Sequence, residues 1–148
     1  MSDCCDTSDT LTLAEVRSLT PNTATRLHMA LAGQPNVGKS TVFNLLTGLN
    51  QHVGNWPGKT IDQKIGLYQR GDITIDLVDL PGTYSLTANS PEELIAREYL
   101  LNQRPDVIVA VVDASILERS LYLVAELVEL GLPLIIGLSH INATTRTV

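Results

Sequence analysis

Basic charge is in short supply in this chain. Ten Lys and Arg stand against 16 Asp and Glu, a formal net charge of −6 over 148 residues, and there is no long basic run. That balance argues against nucleic acid as the main partner, because binding a phosphate backbone depends on clustered cations. Long apolar runs are missing too. The longest candidates, near Val107–Val112 and Leu132–Leu138, fall well short of the roughly eighteen residues of a membrane span, so no bilayer crossing is expected. The start, Met1-Ser2-Asp3-Cys4-Cys5-Asp6, lacks the basic-then-apolar order of a secretion signal, which points to the cytosol. The only two cysteines are adjacent and cannot set up a disulfide framework. A reduced, solvated tail is the expected setting for Cys4 and Cys5, although a vicinal pair could also touch a metal. No other His/Cys metal site stands out: His28 reads as a core-edge strand residue and His52 as a loop residue. No internal repeat is evident, and the length suits one domain with a real core.

What the chain does have is Gly33-Gln34-Pro35-Asn36-Val37-Gly38-Lys39-Ser40, a match to G-x-x-x-x-G-K-[ST]. The spacing is chemical. A short Gly-bounded loop turns backbone N–H groups inward on a polyphosphate, the Lys ammonium reaches the β and γ oxygens, and the Ser hydroxyl ligates Mg²⁺. The mostly apolar Leu27–Ala32 before the loop suits a strand, and Thr41–Thr47 after it suits a helix whose N-terminal dipole favours an anion.

The rest of the chain reads as alternating strands and helices behind a flexible leader, residues 1–25, in which Thr12–Arg17 could form a turn or two of helix. Residues 26–148 form the expected domain. Gln51–Lys59 carries three turn formers and reads as a long mobile loop without regular structure. Ile61, Ile65 and Leu67 share one face of a strand, Arg70-Gly71-Asp72 turns, and Ile73, Ile75 and Leu77 begin a second strand, which together predict a hairpin. That second strand runs into Asp79-Leu80-Pro81-Gly82, leaving a carboxylate at its C-terminal end. Ser90-Pro91-Glu92-Glu93 is a capping box and predicts a helix from Pro91 to about Asn102. Val107–Val112 reads as a strand buried on both faces. Leu117, Leu121, Val124 and Val128 recur at helical spacing up to Gly131, and Leu134–Leu138 is a further buried strand. The sum is an α/β fold with a mostly parallel sheet, helices on both faces, and ligand at the carboxyl ends of the strands.

A nucleoside triphosphate site needs a phosphate cradle, a metal and a device that senses the γ-phosphate. Gly33 to Ser40 supplies the cradle. Ser40 is a direct metal ligand, Asp79 suits a Walker-B carboxylate that holds a metal-bound water, and Gly82 offers a bare N–H to the γ-phosphate. Thr60, after Gly58 at the end of the loop, is a second hydroxyl candidate for Mg²⁺.

Three stretches carry a resemblance to a known family: Gly33 through Gly48, then Gln51-His52-Val53-Gly54-Asn55-Trp56-Pro57-Gly58 with Thr60, then Asp79-Leu80-Pro81-Gly82-Thr83-Tyr84-Ser85-Leu86. Together with Pro105-Asp106-Val107, Val111-Val112-Asp113-Ala114 and Leu117-Glu118-Arg119 they resemble the G domain of FeoB, the bacterial ferrous iron transport protein B, over about residues 27–138. Many GTPases share the P-loop and Asp-x-x-Gly; the Gly-Asn-Trp-Pro-Gly loop and the Asp-Leu-Pro-Gly-Thr-Tyr-Ser-Leu segment are more specific. The resemblance implies a Ras-like P-loop fold, Mg²⁺-dependent GTP hydrolysis, and a role coupled to Fe²⁺ uptake at the cytoplasmic face of the inner membrane, with a membrane domain as partner. It implies further that Thr60 is the switch Thr at Mg²⁺, that Asp79 and Gly82 form the second switch, with Leu80 and Pro81 between them also at the nucleotide, and that Asn36 is a K⁺ ligand. Thr83 stands where Ras-type GTPases keep a water-orienting Gln, so Lys39, Mg²⁺ and backbone donors must meet the transition-state charge and turnover should be slow.

The chain departs from that pattern at its base-reading end. Where the family carries Asn-x-x-Asp, the sequence has Ser139-His140-Ile141-Asn142. An Asp carboxylate accepts two hydrogen bonds from guanine, whereas an Asn amide offers one acceptor and turns a donor toward the base. Weakened guanine preference, with some tolerance of xanthine, is the expectation. The sequence ends at Val148, and Ala143–Val148 offers no apolar repeat for a last strand and helix, so a truncated sheet with low stability or self-association is expected. Two other readings stay open. One is a degenerate module that holds GDP or GTP without useful turnover. The other, a GTPase of ribosome assembly or tRNA modification, is disfavoured by the acidic charge.

Overall fold

The computed structural model describes residues 25–139. The leader with Cys4, Cys5 and Thr12–Arg17 lies outside these residues, as do His140, Ile141, Asn142 and the tail to Val148.

Six strands form one sheet in the order β2-β3-β4-β1-β5-β6. They are β1 (Thr25–Gly33), β2 (Gln51–Asn55), β3 (Asp62–Arg70), β4 (Ile73–Asp79), β5 (Val107–Asp113) and β6 (Leu134–Ser139). Strand β1 lies centrally, parallel to both β4 and β5, and β6 runs parallel to β5; the β2-β3-β4 side is antiparallel. Three helices, α1 (Lys39–Thr47), α2 (Pro91–Gln103) and α3 (Leu117–Glu129), cover the two faces. Period-2 alternation along β1 divides the core. Ala30 and Ala32 face a cluster with Ile95 and Leu100 of α2 and Leu123 and Leu127 of α3, while Leu31 faces Phe43 of α1 and Leu77 on the other side. Topology and P-loop position are those of the Ras-like α/β fold that the resemblance implied.

The capping box at Ser90 is formed much as expected. Its hydroxyl accepts from the Glu93 amide at 3.2 Å, and the Glu93 carboxylate accepts from the amide of Asn89 at 2.9 Å. Helix α2 accordingly runs from Pro91 to Gln103. The predicted hairpin is present as β3 and β4, with Lys64 opposite Asp79.

Three expectations are corrected. Gln51–Asn55 is a strand, not an irregular loop. Its turn-forming residues are overridden by antiparallel pairing with β3, which is closed at either end by Leu67 N–H to Asn50 O (2.8 Å) and Trp56 N–H to Ile61 O (2.9 Å). Helix α3 buries Ser120, Leu123, Val124 and Leu127 rather than the Leu117, Leu121, Val124, Val128 stripe, of which only Val124 is shared. Ser120 is accommodated in the interior because its hydroxyl back-bonds to Ile116 O at 3.3 Å. Strand β6 is an edge among the described residues, so Ile135, Ile136 and Leu138 are exposed instead of buried.

Candidate functional site

Strand β1 ends at Gly33, and a loop turns the chain into α1. Glycine is required at position 33 by a close approach: a Cβ there would lie 2.7 Å from the Val111 carbonyl oxygen of β5. Two residues of the loop have left-handed backbone, Asn36 (φ 61°) and Gly38 (φ 96°). Asn is among the few side chains that tolerate this region, and alternating backbone hand is how successive N–H groups come to line a concave anion site. The residue type at position 36 is therefore accounted for by backbone geometry whatever its side chain binds.

The loop opens on a cavity of about 870 Å³. Gln34, Pro35, Asn36, Gly38, Lys39, Ser40 and Thr41 form one wall, and Gly82, Thr83 and Tyr84 form the facing one. The two walls touch. A Cβ on Gly82 would sit 2.8 Å from Pro35 Cα, and the Thr83 amide donates to Gly33 O at 3.0 Å. Lys39 is buried, its ammonium donating to the Asp79 carboxylate and, at 2.6 Å, to Leu80 O. Hence the motif lysine and the strand-end carboxylate, read from sequence as separate parts, are one ion pair.

Ser139 also joins the site. Its hydroxyl donates to Val37 O at 2.5 Å, pinning the end of β6 against the back of the P-loop. Thr60 and Gly58 are not brought to the cavity; both are exposed in the turn between β2 and β3. Asn142 lies outside the described residues. Sequence reasoning missed Tyr84, Ser90, Glu92 and Glu93 as cavity residues. The capping box at Ser90 was the available signal, since it starts a helix beside the Asp-x-x-Gly segment.

A second constellation lies behind the β2-β3 turn. Trp56 stacks edge-on against Tyr99 (centroids 5.4 Å apart), and the Tyr99 hydroxyl is 2.5 Å from His28 Nε2. Burial, aided by the charge of Asp76, pushes the Tyr99 phenol up to about 12. Asp76 itself is held below the usual carboxylate range by its hydrogen bonds with Arg26, 2.5 and 2.9 Å long.

A serine hydroxyl and one carboxylate are the kind of donors that Mg²⁺ accepts when phosphates and water complete its shell; here Ser40 lines the cavity, while the Asp79 carboxylate is engaged by Lys39. No cluster of three or more His, Cys, Asp or Glu suited to a metal occurs among the described residues. No helix of the described residues is long and apolar enough to cross a membrane.

Comparison with known proteins agrees with this geometry. The family described as "Ferrous iron transport protein B" matches residues 27–147. The Fe(2+) transporter FeoB of Methanocaldococcus jannaschii is 55% identical over 103 residues, 70% of this chain and 15% of that protein. This chain thus spans a small part of the curated relative's length. Among solved structures, the G domain of the T. maritima FeoB iron transporter superposes with a TM-score of 0.76 at 44% identity, covering 83% of this chain and 77% of that one. A GDP-bound mutant of the S. thermophilus NFeoB gives a TM-score of 0.69 at 53% identity over 76% of this chain and 44% of its own length. With the P-loop, the facing Asp-x-x-Gly wall and the sheet order all accounted for, the chain belongs to the ferrous iron transport protein B family and carries the fold of its G domain.

Proposed function

We propose that this chain binds GTP and GDP and hydrolyses GTP slowly, as the nucleotide switch of a ferrous iron transporter whose membrane domain lies in other residues of the full-length protein. The observation that carries the reading is the cavity between the P-loop and Gly82–Tyr84, with left-handed Asn36 and Gly38 on one side and bare Gly82 on the other. GDP in the S. thermophilus relative supports the ligand class.

In this reading the backbone N–H groups from Asn36 to Thr41 hold the phosphate chain. Lys39 leaves Asp79 for the β and γ oxygens, which frees the carboxylate. Ser40 and Asp79 would then hold Mg²⁺, with Thr60 as a further ligand once its turn reaches the site, and the ion would neutralise charge on the phosphates. Asn36 lines the cavity and would hold K⁺ beside them. Gly82 turns its amide to the γ-phosphate. Thr83 lines the cavity where a Ras-type GTPase keeps a longer, water-orienting Gln, and its backbone is tied to Gly33, so the expected rate is slow. The chain works at the cytoplasmic face of the membrane, and Fe²⁺ does not touch this domain.

Calorimetry on the chain with GDP, ADP and XDP tests fold competence and base choice together. Binding of GDP and XDP with little preference between them, and none of ADP, is expected from Asn142 in place of the usual Asp. Absence of heat with every diphosphate at millimolar concentration overturns the reading. Phosphate release in K⁺ and Na⁺ buffers then separates a slow enzyme from a module that only binds.

A further inference from the structure

Helix α3 takes no part in the cavity wall, yet it holds both walls, one through a backbone carbonyl and the other through side chains. Gln34, on the P-loop side, donates from Nε2 to the Arg119 carbonyl at 3.0 Å. On the facing side the Arg119 guanidinium lies 4.4 Å from the centre of the Tyr84 ring. Two turns along, Glu126 accepts from the Leu86 amide at 2.7 Å through one oxygen and from the Ser85 hydroxyl at 3.0 Å through the other. Arg119 and Glu126 are seven residues apart and so share a helix face. Leu86 is buried, so its amide would be orphaned without the carboxylate.

We propose that Glu126, assisted by Arg119, is a positioning residue that sets the Gly82–Leu86 arm for recognition of a third phosphate. The inference rests on the nucleotide reading above. An arm ordered in advance by α3 spends no conformational entropy when the γ-phosphate arrives, whereas an unclamped one must be ordered at that moment. A diphosphate ends before the arm and gains nothing from the clamp. The signature is therefore a change in the ratio of triphosphate to diphosphate affinity, which a general loss of folding would not produce.

The test is calorimetry with Mg²⁺, GDP and a non-hydrolysable GTP analogue on the chain and on Glu126→Ala, Glu126→Gln and Ser85→Ala, with circular dichroism as a folding control. Glu126→Ala should weaken the analogue about tenfold and leave GDP within about twofold, as expected for loss of hydrogen bonds to a charged group. Glu126→Gln keeps an acceptor for Leu86 and should recover most of the loss. Ser85→Ala, the mildest change, should shift the ratio in the same direction by about threefold. An unchanged or raised ratio in both Glu126→Ala and Ser85→Ala overturns the clamp, with the nucleotide reading intact. If the unaltered chain binds neither ligand, the nucleotide reading itself falls and the clamp's role falls with it.

Discussion

Lys39 and Asp79, forty residues apart in sequence, meet as a buried ion pair directly behind the phosphate cavity, with the Leu80 carbonyl as the ammonium's second acceptor. Their side chains are only 9% and 7% exposed. Removing one member strands the other without solvent, and such breaks typically cost about 3–5 kcal/mol. Lys39→Ala should thus unfold at clearly lower urea, and the Lys39→Met/Asp79→Asn pair should lose less than the sum of its single changes. Strict additivity in the urea midpoints refutes the pairing. An alanine at position 39 is therefore an unsafe blank for binding assays without a folding control.

Gly66, at the middle of β3, faces α1 with no room to spare. A Cβ there would fall 2.1 Å from Thr47 Cγ2 and 3.1 Å from Phe43 Cζ. Gly66→Ala should destabilise by about 2 kcal/mol or more through overpacking. Adding Thr47→Ser removes the nearest atom and retains a hydroxyl for Phe43 O, now 2.8 Å away, so it should restore part of the loss. Equal melting temperatures for the single and double variants would show that the crowding lies elsewhere.

Tyr99 provides a pH prediction. Its phenol is raised from 10.0 to about 12 in the fold, so the folded state keeps a proton that the unfolded chain has already lost. Its contribution is complete below pH 10 and fades as pH rises toward 12. The stability difference between the chain and Tyr99→Phe should therefore be flat at neutral pH and shrink above pH 10. A difference independent of pH up to 12 contradicts the burial assigned to the hydroxyl.

At Asn36, backbone and ligand roles can be separated because φ is 61°. Glycine adopts that hand freely, while alanine is strained by about 1 kcal/mol. Asn36→Gly should keep GDP affinity within about twofold, and Asn36→Ala should lower it further through that strain. Both should lose K⁺ stimulation of phosphate release. Stimulation retained in Asn36→Gly assigns the residue to loop shape alone.

Much of this was legible because motif chemistry and strand periodicity are local. Gly33 to Ser40 announced the cradle, Asp79 its strand-end carboxylate, and Ser90 the start of α2, each within eight residues. Register against a distant partner is not local. Gln51–Asn55 became a strand only because β3 offers it an edge, and Gly54 gives no hint of that. The buried face of α3 differs from the apolar stripe because a serine, Ser120, takes one of its buried positions. The Lys39–Asp79 pair, the Glu126 clamp and the Tyr99–His28 contact each join residues 40 or more apart, and no spacing rule connects them.

Trp56 is the chain's only indole and the buried endpoint of the β2-β3 turn that leads to Thr60. Among the described residues its ring nitrogen is enclosed yet has no acceptor, so the contact with Tyr99 is held by packing rather than by a directional bond. Its emission is therefore a built-in optical gauge. With excitation confined to a single fluorophore, wavelength and quenching would report any loss of the Trp56 contact with α2, in real time and without any label.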